Sequence, residues 1–425
     1  MTSEPSDPVV GGIHEALDDN VQRTRIHDGP LVLSERVEWV RSVAIGIWIP
    51  HGAAHEPAAQ RGASHFLEHA VFKGTETRSA LEIAAEIERL GGVLDAYTTH
   101  EYTAFLARIP DAHLDLALDV LTELVFRPAL EEEAIELERN VILEEIAGVA
   151  DSPEQLVFEL QAPLMYGGHA YGEPILGTHD TVGGLAAPQL REVHAAAYRP
   201  SRAIVAASGH LGHLELVDRL SEILHPGERG EDRPVEAVAG STTGCHTVQR
   251  PGGRQSHIVA GGLTVPYAHP LRYAVILAET ALGAGMSSRL FQRVREELGL
   301  AYAVYSFSAF HALAGHAGAY IGTQPETAAA ALDALLAELR DLAESGLTMD
   351  EIDDTKRQLK GQLMVALETP SARMQRLAGI SLYGEPYMSL DQIAERIDAV
   401  TPDEVNEACT LFHPDRLSIL ELAPA

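Results

Sequence analysis

Tyr198-Arg199-Pro200-Ser201-Arg202-Ala203-Ile204-Val205-Ala206 and Phe412-His413-Pro414-Asp415-Arg416-Leu417-Ser418-Ile419-Leu420 are two versions of one stretch. In each, an aromatic residue precedes a proline, an arginine follows the proline by two positions, and an apolar, strand-like run comes next. Pro188 and Pro402 keep the same spacing upstream, as do the strand-like segments that begin at Ser42 and Ser256. A fixed period over so long a chain marks duplicated structure. The expected fold is therefore α/β in the broad sense (α+β): two homologous domains, each a mixed β-sheet packed with helices, related by an internal repeat of about 214 residues.

Between the two copies, His225-Pro226-Gly227-Glu228-Arg229-Gly230-Glu231-Asp232-Arg233-Pro234 and Gly240-Ser241-Thr242-Thr243-Gly244 break the apolar pattern with proline, glycine and charge. The sequence thus divides into a polar N-terminal segment (1–20), a first domain (21–225), a linker (226–244) and a second domain (245–425). At 425 residues the chain exceeds one ordinary core, since domains commonly span roughly 100–200 residues.

Composition narrows the function classes. With 62 acidic against 31 basic residues, the net charge of −31 repels phosphate backbones and anionic membrane surfaces, which argues against nucleic acid as a partner. No stretch reaches the roughly 18 uninterrupted apolar residues of a membrane span, and Met1-Thr2-Ser3-Glu4-Pro5-Ser6-Asp7 has neither the basic start nor the apolar run of an export signal. Cys245 and Cys409, the only cysteines, are too few for a disulfide framework, so a cytoplasmic location is expected.

Within the first half, Ser42–Ile49 reads as a buried strand stopped by Pro50. Ser79 and Glu82 form a capping-box pattern that opens a helix through Leu90, ended by Gly91-Gly92. Val93–Ile109 reads as strand, and helices are expected over Ala112–Phe126 and Glu131–Ala147. Ahead of these elements lies His65-Phe66-Leu67-Glu68-His69. On a helix, positions i, i+3 and i+4 share a face, so His65, Glu68 and His69 project together. Two neutral imidazoles one turn apart can chelate a zinc ion, and a carboxylate beside them can take a proton from the attacking water. The order inverts the commoner His-Glu-x-x-His arrangement while keeping its mechanics.

Catalytic zinc sites usually take three protein ligands, so two histidines leave one to find. The expected helix Glu131–Ala147 holds seven glutamates. Projected at about 100° per residue, Glu133, Glu136, Asn140 and Glu144 fall on the polar arc, whereas Glu138 and Glu145 fall among Val141 and Ile142 on the apolar one. Carboxylates there need partners. Two turns apart on one face, one can ligate the metal and the other brace a ligand. This selects Glu145 over Glu144 as the third ligand. For Glu138, a tertiary salt bridge to arginine is the other reading.

These residues resemble the insulinase and pitrilysin family of inverted-motif zinc peptidases, in particular its branch similar to the mitochondrial processing peptidase. In that family a ligating glutamate closes a Glu-Arg-x-Val-Ile-x-x-Glu segment at a set distance beyond the last histidine of the motif. Here Glu138-Arg139-Asn140-Val141-Ile142-Leu143-Glu144-Glu145 has that form, and Glu145 stands at the family's distance from His69. The resemblance gives Glu138 a supporting role beside the metal. Leu282–Phe291 and Val294–Tyr302 are similar to the family stretch that ends in an arginine–tyrosine pair, here Arg295 and Tyr302. Such donors can bind peptide carbonyls and a developing oxyanion, although without the resemblance the two read as a surface arginine and a core tyrosine. Gly91–Glu101 is similar to the family's substrate-pairing edge strand, which makes Asp95, Ala96, Tyr97 and Thr98 candidate substrate-binding residues. Asp95 stands where asparagine is common, and a carboxylate cannot donate a hydrogen bond unless protonated.

The resemblance implies a zinc-dependent endopeptidase with one Zn2+ per chain, held by His65, His69 and Glu145, acting on peptides or unfolded polypeptide. It also implies a dimer in which the arginine–tyrosine pair of one chain serves its partner. Because this chain carries both halves of the site, a homodimer is favoured over a heterodimer. A non-catalytic assembly subunit and a maturation protease dedicated to one precursor are the rival readings. His51, His55, His100, His169 and His179, lacking a helical partner at ligand spacing, are expected in surface or loop roles.

Overall fold

The structure is a computed structural model that describes residues 12–224, 227, 235–238 and 240–425. Positions 226, 228–234 and 239 of the expected linker, and 1–11 of the expected N-terminal segment, lie outside the described residues. In chain order the elements are β1 (Ile13–Ala16), β2 (Val21–Arg25), β3 (Leu31–Arg36), β4 (Ser42–Ile49), α1 (Ala63–Val71), α2 (Ala80–Glu88), β5 (Val93–Thr98), β6 (Thr103–Pro110), α3 (Leu114–Phe126) and α4 (Glu132–Asp151). Next come α5 (Pro153–Tyr166), α6 (His179–Gly184), α7 (Ala187–Ala197), β7 (Ile204–Gly209), α8 (His213–Ile223), β8 (Gly244–Arg250), β9 (Ser256–Thr264) and α9 (Arg272–Gly283). The chain ends with β10 (Ala301–Phe310), β11 (Gly315–Thr323), α10 (Ala328–Ser345), α11 (Met349–Ala366), α12 (Pro370–Leu382), α13 (Leu390–Asp398), α14 (Pro402–Cys409) and β12 (Ser418–Pro424). Among the described residues, no helix is long and apolar enough to cross a membrane.

Two mixed sheets result. The first has strand order β1-β2-β3-β7-β4-β6-β5 and the second β10-β11-β9-β12-β8. At the repeat offset β3, β4 and β7 correspond to β8, β9 and β12, and the shared five-strand core has the same order in both. Each core holds one parallel pair, β3 with β7 and β8 with β12, among antiparallel neighbours. The first sheet adds the β1–β2 hairpin. These N-terminal strands are short and rich in charge, so their alternation is faint in a segment that reads as merely polar, and β1 falls inside the expected segment 1–20. Val93–Ile109 is a hairpin and not one strand: the Thr99 hydroxyl accepts from the backbone N–H groups of Glu101 and Tyr102 and turns the chain between β5 and β6.

Strand β4 shows how the sequence sets the layers. Val43, Ile45, Ile47 and Ile49 point to one face of the sheet and join the main core with Phe66, Leu67, Leu121 and Leu124. Ala44 and Trp48 point to the other face, as the two-residue period requires. That second face is covered by α12, through Met374, Leu377 and Ala378 at helical spacing. Burying side chains of the size of Met374 and Leu377 stabilises by roughly 1.5–3 kcal/mol each before ordering costs.

The compact units depart from the contiguous boundaries read from sequence. One comprises residues 1–146, 174–234 and 366–387, the other 147–173, 235–365 and 388–425. The first unit therefore includes α12 from the second half of the chain, and the second includes α5 from the first half. Helices α5 and α12 occupy equivalent places in the repeat, and each covers the otherwise bare face of a sheet. In the second unit Val157 of α5 packs with Val259, Tyr320 and Leu420. A duplicated fold read as two contiguous pieces conceals this exchange, because neither helix differs in pattern from one that stays at home.

Candidate active site

Helix α1 starts at a glycine, Gly62, in the left-handed region (φ 92°). Ala63, Phe66, Leu67, Ala70 and Val71 form its buried face. With those positions committed to the core, His65, Glu68 and His69 must share the remaining face. The imidazoles stand 4.6 Å apart between ring centroids, and their side chains are 12% and 19% exposed. Glu145 of α4 reaches the same place: its Oε2 lies 3.7 Å from His65 Nε2 and 3.6 Å from His69 Nε2. His65, His69 and Glu145 are the one group of three metal-capable side chains brought together among the described residues.

The donor set fits zinc. Two donors about 2.0–2.1 Å from one ion at a tetrahedral angle stand about 3.4 Å apart, close to the observed separations. Ligating imidazoles must be neutral, and burial together with neighbouring His69 pushes His65 down to about 4. His69 is oriented from behind. Its Nδ1 lies 2.9 Å from Oε1 of Glu138, so Nδ1–H donates to the carboxylate and Nε2 keeps its lone pair for a metal. The other oxygen of Glu138 is 2.6 Å from Lys73 Nζ. The partners of Glu138 are thus a histidine and a lysine and not the arginine of the alternative reading, while adjacent Arg139 turns away to the carbonyls of Val182 and Leu185.

Helix phase placed Glu138 and Glu145 together on the apolar arc, and only the first part holds. Glu138 is buried with Ile135, Arg139 and Ile142, but the Glu145 side chain is 41% exposed and Val141 is exposed beside it. The buried stripe of α4 lies one step further round the helix. Glu145 sits at its margin, where a ligand can face both the histidines and an approaching substrate.

Glu68 is partnered by Thr98, a residue expected to bind substrate. The Thr98 hydroxyl donates to Glu68 Oε2 at 2.6 Å, and burial raises the Glu68 carboxyl above its ordinary range. Thr98 ends β5, the outer strand of its sheet, which among the described residues pairs with β6 alone. Upstream on that strand, the Asp95 carboxylate accepts from the N–H of Ala96, and Tyr97 packs edge-on against Tyr102.

In the second unit, Arg295 lies in a π-helical segment, Phe291–Glu297, a form enriched at functional sites. It donates from Nη1 to the Tyr302 carbonyl at 3.1 Å, and its guanidinium stacks over the rings of Phe291 and Tyr302. Tyr302 is no core residue, being 80% exposed. The second unit has no counterpart of the metal set: at the repeat offset His65 and His69 become Glu279 and Gly283, while Glu138 and Glu145 become Ile352 and Leu359. Ile352 is buried in the second core and Leu359 packs against it.

Residues 31–179 match the insulinase family (peptidase family M16), and residues 185–359 match the peptidase M16 inactive domain. An uncharacterized zinc protease of Streptomyces coelicolor is 39% identical over 91% of this chain and 85% of its own length. Uncharacterized zinc proteases of Bacillus subtilis and Mycobacterium tuberculosis are 33% and 36% identical, each over 95% of this chain, and over 98% and 93% of their own lengths. Among solved structures, a peptidase M16 inactive domain from Pseudomonas fluorescens matches with a TM-score of 0.88 at 21% identity, covering 96% of this chain and 98% of that one. A protease from Helicobacter pylori matches with a TM-score of 0.87 at 20% identity, covering 95% and 99%.

The Glu138 contacts give a direct expectation. Glu138→Gln keeps the side-chain shape but removes the charge that holds His69 and Lys73, and it should weaken zinc affinity by about tenfold in a chelator competition. Unchanged affinity would show that Glu138 braces the fold and not the ligand.

Proposed function

Because this chain belongs to the insulinase family of peptidases, peptidase family M16, we propose that it is a zinc-dependent endopeptidase hydrolysing peptides or unfolded polypeptide segments. The observation that carries this is the convergence of His65, His69 and Glu145 beside a buried, hydrogen-bonded Glu68. The first three would hold one zinc ion per chain. When bound, the ion supplies Lewis acidity, polarising the scissile carbonyl and lowering the pKa of water at the site.

The protein groups supply the rest. Glu68 takes the proton of the attacking water at its carboxylate and later returns it to the leaving amine. A carboxyl raised by burial suits both steps, because its proton affinity is nearer that of its exchange partners. Thr98 fixes the rotation of that carboxylate, and Glu138 fixes the tautomer of His69. An extended segment of substrate pairs with the free edge of β5 through main-chain hydrogen bonds, which demands little of its sequence. Since Thr98 belongs to that strand and touches Glu68, a peptide paired along β5 is carried past the base.

Arg295 and Tyr302 are assigned to the substrate and the oxyanion in the site of a second copy of this chain, making the enzyme a homodimer. The stacked guanidinium and the exposed tyrosine are a preformed pair of donors, which favours this role over an incidental surface contact.

Cleavage of an unfolded polypeptide is expected to stop on chelation and return with added zinc. Glu68→Gln should retain zinc and lose at least about 10²-fold in rate; undiminished or chelator-insensitive cleavage contradicts the reading, and a zinc-loaded chain with no cleavage favours an assembly subunit. Mixing Glu68→Gln with Arg295→Ala chains should restore part of the activity. No recovery despite demonstrated subunit exchange rules out shared sites.

A further inference from the structure

The first N–H groups of any α-helix lack partners inside the helix, and a Ser, Thr, Asp or Asn at the N-cap usually supplies one. Helix α1 has glycine at that position and therefore no capping side chain of its own. Glu56, six residues upstream, does the work instead. Its Oε2 accepts from the Gly62 N–H at 2.7 Å and its Oε1 from the Ser64 N–H at 2.5 Å. Both carboxylate oxygens are thus spent on the first turn of the helix that carries His65 and His69. The positive end of the helix dipole reinforces an anion there.

The remaining contacts make this start rigid. A Cβ on Gly62 would lie 2.6 Å from the carbonyl oxygen of Leu176, and one on Gly177 would lie 2.5 Å from that of Arg61, so the two chain segments touch backbone to backbone. Glu56 borders a cavity of about 230 Å³ together with His51, His55, Gln60, Glu192 and Arg202. His51 and His55, expected in surface or loop roles, lie between β4 and α1, are half-buried and stack at 5.2 Å. The Glu56 carboxyl, largely withdrawn from water, is pushed up to about 7 by that burial, against the pull of its hydrogen bonds and of Arg61.

We infer that Glu56 is a positioning residue for the metal: by clamping the first turn of α1 it sets where His65 stands relative to Glu145 on α4. The inference rests on the zinc-site reading above. The Ser64 N–H that Glu56 holds adjoins His65 directly, whereas His69 has its own anchor in Glu138 and Glu145 belongs to another helix. Loosening the clamp therefore displaces one ligand against the other two. Metal sites tolerate displacements of only about 0.2 Å.

The test compares the wild-type chain with Glu56→Gln, which is close in shape but presents one acceptor oxygen and an amide that cannot accept. Zinc(II) affinity is measured by chelator competition, the absorption spectrum of the cobalt(II)-loaded chain reports ligand arrangement, and thermal unfolding is followed without metal. The expected result is zinc affinity weaker by roughly tenfold with altered cobalt(II) bands. Equal affinity and identical bands, whatever happens to the metal-free unfolding midpoint, would overturn the inference and leave the zinc site intact. A wild-type chain that binds neither metal would overturn the site reading and this inference with it. Should Glu56→Gln lose cooperative unfolding, Glu56→Asp, which keeps the charge on a shorter arm, takes its place, and the same outcomes decide.

Discussion

The hydrogen bond between His69 on α1 and Glu138 on α4 ties together two helices whose contact defines the candidate site. A zinc site made only from α1 would have two ligands, both imidazoles, on a helix short enough to fray. Bringing α4 alongside adds Glu145, and a buried carboxylate seals the junction. That carboxylate is costly to bury alone, so it is paired on both oxygens, with His69 on one and Lys73 on the other. The helices themselves are placed by the sheet beneath them. The isoleucines of β4 on one face and Trp48 on the other fix which side carries α1 and which side carries α12.

Duplication explains the scaffold, and among the described residues only the first copy gathers three metal-capable side chains. Both units repeat a five-strand order with one parallel pair, and both cover their second sheet face with a helix from the other half of the chain. Where the first unit presents Glu138 and Glu145, the second has Ile352 and Leu359 in or against its core. Apolar packing thus replaces the two glutamates of α4, while Glu279 and Gly283 stand at the positions of the two histidines. The second unit presents instead an exposed tyrosine, Tyr302, and an arginine, Arg295, stacked over it.

Much of this was legible in the sequence because it depended on period and spacing. The internal repeat anticipated the matching sheets, and the capping box at Ser79 and Glu82 forms as written. Helix phase put Glu138 and Glu145 together on the apolar arc, but only Glu138 is buried and Glu145 is exposed like Glu144, because phase gives direction around a helix and not the position of the neighbouring wall. Tertiary facts stayed hidden. Nothing local in α5 or α12 signals that they change places, and β1 and β2 are too short and polar to announce themselves. Thr98 read as part of a substrate strand, and only the fold shows its hydroxyl on Glu68. Glu56 has no signature in the sequence, because its partners are backbone N–H groups.

The central claim is that His65, His69 and Glu145 hold a single zinc ion. The most direct test is anomalous diffraction at the zinc edge from crystals of the zinc-loaded chain. The account predicts one peak per chain, about 2.0–2.2 Å from Nε2 of His65, Nε2 of His69 and a carboxylate oxygen of Glu145. A zinc ion bound without Glu145, held by Glu144 in its place, or located only in the second unit would contradict it.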